Sequence, residues 1–165
     1  MSGFQVAVYP PGKHTDETTV CGSPRELVDA LESHGVDLVV LAGYMKLVPV
    51  EDVKAYEKRM LNIHPGLLPG PFGGHGMYGM NVHAAVVASG SRYTACTVHY
   101  VSEVYDTGPI LAQAVVPVYI DDTPERVAAR VLKQEHELFP RCVRAYCDDR
   151  IGWREDGVPY IVGVN

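Results

Sequence analysis

The run Val36-Asp37-Leu38-Val39-Val40-Leu41-Ala42-Gly43 is apolar almost throughout and shows no polar alternation. A strand with one wet face alternates; one that does not is expected to be covered on both faces, as parallel strands of α/β proteins are. The flanking sequence supports that reading. Ser23-Pro24-Arg25-Glu26 supplies a serine cap, a proline at the first helical position and a glutamate at the third. Leu27, Val28, Ala30 and Leu31 follow with helical spacing, and Gly35 provides a stop. A second helix is expected over 50–58, with Val50, Val53 and Tyr56 turned inward. Upstream, Phe4 to Tyr9 alternates like a strand and ends at Pro10-Pro11-Gly12, with an irregular link over 13–22. Strand, helix, strand, helix, strand predicts an α/β fold: a mostly parallel central sheet with flanking helices and right-handed crossovers. The 165 residues, 47% hydrophobic, suit a single domain over 1–165.

The second half adds a short helix over 81–88, strands over 93–101 and 110–118, and a long helix opened by Asp122-Thr123-Pro124. Val127, Val131, Leu138, Cys142 and Tyr146 form its apolar stripe, and Pro140 is expected to kink or split it. Ile151-Gly152-Trp153 and Tyr160-Ile161-Val162, joined through Asp156-Gly157, read as a terminal hairpin or an addition to the sheet edge. A net charge of −6 argues against a nucleic-acid partner. No apolar twenty-mer or signal-peptide pattern is present, so no membrane is expected and the cytoplasm is the expected location. The four cysteines form no CxxC pair; buried free thiols are expected ahead of disulfides or a zinc site.

Chemistry concentrates at Leu61-Asn62-Ile63-His64-Pro65-Gly66-Leu67-Leu68-Pro69. In a strand, Asn62 and His64 project to the same side, and Pro65 ends the strand just beyond them. They read as a donor pair beside a ligand at a strand's carboxyl end, or as a strand cap bonded to a loop. Five glycines in 70–79 demand special backbone angles, but their spacing is no dinucleotide fingerprint. Glu103 and Asp106 lie in a Gly-Pro connection, as solvated turn residues or as a carboxylate that manages a proton. His34 reads as a surface or capping residue rather than a ligand, His83 as packing or solvating, and His136 as a half-buried residue or the orienter of a carboxylate. A metal set of His64, His99 and Asp106 can be drawn, but nothing in the spacing requires it and no metal is expected. Asn62, His64 and Asp106 better suit an amine attacking a carbonyl. Asn62 and a positively charged His64 would stabilise the oxyanion, while the carboxylate raises the histidine's pKa and relays a proton.

LNIHPGLLP, the loop ending GHGMYG, TACTVHYVSEVYDTGPILAQ, and the later DDTPE and QEH together resemble phosphoribosylglycinamide formyltransferase, of the folate-dependent formyltransferase superfamily. The resemblance runs from Phe4 to about Trp153. It implies transfer of a formyl group from 10-formyltetrahydrofolate to the amine of glycinamide ribonucleotide in de novo purine biosynthesis, with Asn62, His64 and Asp106 catalytic. It also implies that Tyr44, Met45, Lys46, Leu47 and Val48, with Val101, Ser102, Glu103, Val104 and Tyr105, bind the folate, and that Glu135 contacts the ribose. Lys46 stands where an arginine is common in the family. The family's N-terminal strand and phosphate-binding loop find no counterpart here. The resemblance thus implies an N-terminally truncated or split member, or one that uses a partner chain or second copy to cover the open edge. Transfer by a related formyl-folate enzyme, hydrolysis of the formyl-folate, or an inactive fragment are the alternatives.

Overall fold

The structure, a computed structural model, describes Ala7–Val8 and residues 19–163. Strands β1 (Ala7–Val8) and β2 (Thr19–Val20) form a short parallel pair. A strand thus begins inside the segment expected to be an irregular link; the rest of the strand expected over 4–9 lies outside the described residues.

Helix α1 (Pro24–Ser33) starts as its sequence dictates. The Ser23 hydroxyl accepts the Glu26 N–H at 3.2 Å, and the Glu26 carboxylate reaches back to the Gly22 N–H at 2.7 Å. Two otherwise orphaned donors are thereby satisfied. At the other end His34 Nδ1 bonds the Ala30 carbonyl at 2.7 Å, and Gly35 takes the left-handed turn at φ 64°. His34 is therefore a cap.

The main sheet has the order β3-β4-β5-β6. β3 (Val39–Leu41) runs parallel to β4 (Met60–His64); β5 (Tyr93–Tyr100) is antiparallel to β4, and β6 (Ile110–Pro117) is antiparallel to β5. The α/β class with helices around a central sheet is as expected, but this sheet is mixed rather than mostly parallel. For β6 the cause is connection length: residues 101–109 are too few for a crossover helix, so it must return beside β5 in the opposite sense. β3 is also shorter than expected and covered on one side only. It lies at the end of the sheet, and Val40 is 42% exposed.

Helix α2 (Val50–Ala55) packs on α1 and ends before Lys58, whose φ of 58° breaks the helix. Helices α3 (Met80–Ser89) and α4 (Pro124–Cys147) pack together, with α4 lying against β5 and β6. Leu61, Val82, Val98, Val116, Val127 and Val131 form the centre of the main core. Each such side chain contributes about 1.5–3 kcal/mol of burial. A smaller cluster of Val48, Val53, Tyr56 and Met60 lies under α2. The break expected at Pro140 does not occur, and α4 is continuous. Pro140 and His136 are both exposed, so the carbonyl that loses its N–H partner faces water. The hairpin of β7 (Ile151–Trp153) and β8 (Pro159–Ile161) forms as read, and Trp153 docks on Tyr100 with ring centroids 4.8 Å apart. All four cysteines are free; Cys21, Cys96 and Cys142 are buried and Cys147 is exposed. Among the described residues no helix is long and apolar enough to cross a membrane.

Candidate active site

Strand periodicity and register assemble the site. Asn62 lies opposite His99 and His64 opposite Thr97 across the β4–β5 pair, and Gln113 of β6 lies opposite Thr97. Residues facing each other across antiparallel strands share a side. Asn62, His64, Thr97, His99 and Gln113 are therefore one polar row on a sheet whose other side is apolar.

The loop after β4 satisfies this row. Thr97 donates its hydroxyl to the Gly66 carbonyl at 2.7 Å and accepts the Leu68 N–H at 3.3 Å. Gln113 donates to the Leu68 carbonyl at 2.6 Å and to the Thr97 hydroxyl at 3.2 Å. His64, 4% exposed, places Nε2 2.6 Å from the Phe72 carbonyl, which can only accept, so Nε2 carries a proton. Gly66 is required here: a Cβ would sit 2.8 Å from His64 Nε2 and 3.0 Å from the Phe72 carbonyl oxygen.

Asp106 enters from the β5–β6 connection with φ 55°, a left-handed backbone unusual outside glycine. That connection closes tightly on β5, since a Cβ on Gly108 would lie 1.9 Å from the Tyr100 carbonyl oxygen. The carboxylate is held from three sides. The Gly74 N–H donates to Oδ2 at 2.8 Å, His64 Nδ1 lies 3.5 Å from Oδ2, and His99 Nε2 lies 3.5 Å from Oδ1. His99 also joins the far side of the site. Its Nδ1 bonds the Tyr100 carbonyl at 2.9 Å, which leaves Nε2 free to accept from the Asn62 amide at 3.1 Å. A register shift between Val98 and His99 aims this ring.

Burial tends to raise the Asp106 pKa, but the neighbouring His99, the Gly74 N–H and the neighbouring His64 outweigh it, leaving the carboxyl below its usual range. For His64 the balance is reversed. Burial, with a smaller contribution from His99, lowers its pKa against the upward pull of Asp106 and the Phe72 carbonyl. Burial thus opposes the upward pull of the carboxylate expected from the sequence, and both ring nitrogens face acceptors.

A cavity of about 710 Å³ opens over Asn62, His64, His99 and Asp106. Residues 44–48 form one wall with Val101, Ser102, Val104 and Tyr105. Glu103 is the exception among the expected folate residues: it does not line the cavity, and its exposed carboxylate turns to Lys54 at 3.8 Å. Glu135 also lines the cavity, its pKa raised by burial and partly held back by His136. The structure thus gathers Asn62, His64 and Asp106 as the sequence suggested. It adds His99, considered in the sequence only as part of a metal set. The polar alternation of Thr97 and His99 within the β5 run was the available signal. Among the described residues, no group of three His, Cys, Asp or Glu side chains is arranged to hold a metal ion.

The formyl transferase family matches residues 12–143. A phosphoribosylglycinamide formyltransferase of Arabidopsis thaliana, designated chloroplastic, is 56% identical over 160 residues, which is 97% of this chain and 54% of the relative. Its Vigna unguiculata counterpart, also designated chloroplastic, is 53% identical over 97% of this chain and 50% of the relative. The chain thus spans about half the length of these curated relatives. The crystal structure of phosphoribosylglycinamide formyltransferase from Anaplasma phagocytophilum superimposes with a TM-score of 0.76 at 37% identity, over 86% of this chain and 66% of that one. The chloroplastic relatives overturn the expectation of a cytoplasmic protein. The chain belongs to the formyl transferase family.

Proposed function

We propose that this chain carries the transfer centre of a phosphoribosylglycinamide formyltransferase, moving the formyl group of 10-formyltetrahydrofolate to the amine of glycinamide ribonucleotide. The observation that carries the reading is the Asn62–His99–Asp106–His64 network, held at the floor of a cavity with one largely apolar wall. The names of the relatives support formyl transfer to the ribonucleotide, and a plastid as the compartment, while the formyl-folate donor rests on the family resemblance.

The chemistry follows from the bonds. The amine attacks the formyl carbon and the carbonyl oxygen becomes an oxyanion. The Asn62 amide spends one N–H on His99 and keeps the other for that oxygen. The amine must lose a proton before the tetrahedral intermediate collapses. His64 Nδ1 is an unprotonated base in the resting site, and Asp106 lies beside it to stabilise the imidazolium that forms. That imidazolium sits between two acceptors and adds positive charge beside the oxyanion. On collapse the proton passes to the departing N10 of the folate, and no covalent enzyme intermediate is needed. Residues 44–48, with Val101, Ser102, Val104 and Tyr105, hold the pterin end, and Glu135 accepts from ribose hydroxyls.

The test is turnover of both substrates by the chain, with folate-analogue and nucleotide binding measured separately by calorimetry. His64→Ala is expected to abolish transfer while leaving the melting temperature close to wild type. Formate release without formylated nucleotide would show a hydrolase instead, and binding of neither substrate would sink the reading for this chain.

A further inference from the structure

His83 sits in the first turn of α3, 5% exposed, between the buried valines Val82 and Val86. Core packing explains its position but not its chemistry. Its Nδ1 is sealed from solvent without a hydrogen-bond partner, and the residue lines the same cavity as Asn62, His64 and Glu135. Of the two ring nitrogens only Nδ1 is both buried and unpartnered, so Nε2 is the one that meets the cavity. An orphaned buried N–H is rarer and costlier than an orphaned acceptor, which leaves Nδ1 bare and puts the ring proton on Nε2. Burial, and secondarily the neighbouring His64, keep the ring neutral by lowering its pKa. The cavity therefore contains an uncharged N–H donor close to the proposed base, with nothing among the described residues to receive it.

We propose that His83 is a specificity-determining residue that donates Nε2–H to the carboxamide carbonyl of the amine substrate. A neutral donor suits an uncharged oxygen better than a phosphate. In an α-amino carboxamide that oxygen lies only a methylene away from the reacting amine, so fixing it aims the amine at the formyl carbon. This inference rests on the formyl-transfer reading above and deepens it by naming how the amine substrate is recognised.

The experiment compares wild type with His83→Phe, His83→Gln and His83→Asn in steady-state kinetics against both substrates, with melting temperatures alongside. Gln places its amide where Nε2 stood, and Asn where Nδ1 stood. Phe and Asn should raise the KM for glycinamide ribonucleotide about tenfold, the worth of one lost hydrogen bond, with the KM for the formyl-folate unchanged. Gln should recover most of that loss. Equal behaviour of Gln and Asn, or an unchanged nucleotide KM in His83→Phe, overturns the assignment. Nitrogen-15 NMR of the wild-type histidines reports the tautomer even if a variant fails to fold. An Nε2–H ring whose shift moves on adding the nucleotide is expected, and an Nδ1–H ring overturns the proposal. No turnover by wild type would instead remove the formyl-transfer reading, and this inference with it.

Discussion

Asp52 and Asp106 are both aspartates withdrawn from water, and they titrate in opposite directions. Asp106 accepts a backbone N–H and has an imidazole 3.5 Å from each of its oxygens, and these neighbours hold its carboxyl below the usual range. Asp52, on α2, is 2% exposed, and neither of its oxygens has a hydrogen-bond partner among the described residues; the buried hydroxyl of Tyr56 likewise has none there. Burial, assisted by Glu51, pushes the Asp52 carboxyl up to about 6. Burial alone therefore does not make a functional carboxylate. Burial with donors gives an ionised group ready for proton transfer, and burial without them gives a group that holds its own proton.

The contrast can be broken experimentally, most severely at Asp106. Asp106→Asn keeps the shape and removes the charge, and turnover should fall by about 10³-fold or more. A loss under tenfold in a folded variant would show that the surrounding donors serve structure alone. Next in size is Asn62→Ala, expected to cost about 10²–10³ in kcat as an oxyanion donor does. An effect confined to KM would assign the amide to binding instead. Thr97→Val tests whether the polar row depends on its covering loop. It deletes a hydroxyl that serves Gly66, Leu68 and Gln113 at once, and should cost about 1–3 kcal/mol in denaturant unfolding. The smallest effect belongs to Asp52→Asn, and its sign is reversed. Between the ordinary value of 3.8 and about 6, folded Asp52 keeps a proton that the unfolded chain has released. Wild-type stability therefore falls as pH rises through that window and stays lower above it. The asparagine variant should lose this dependence and melt higher than wild type at pH 7.5; a lower melting point there would show that the carboxylate has a partner after all.

What could be read from the sequence follows how local the causes are. Ser23, Pro24 and Glu26 build a helix start from neighbours alone, and that start is where it was expected. Asn62 and His64 needed only the two-residue strand period and the stop at Pro65. Asp106 was visible as a carboxylate in a Gly-Pro connection, but not its left-handed backbone or its grip on Gly74, which depend on residues far along the chain. His99 was obscured because a histidine within a β-branched run reads as strand filler until the register sets it opposite Asn62. The run at 36–43 misled for a related reason: lack of alternation implies two covers, whereas β3 has one. At Pro140 the local rule was sound, but the exposed side of α4 tolerates the missing bond.

Gly66 has no chemistry to perform, yet a methyl group there would lie 2.8 Å from the imidazole of His64. In a saturating mutational scan scored by growth, position 66 should therefore be as intolerant as position 64. A map of essential positions alone would count one histidine and its empty neighbour as two reactive residues.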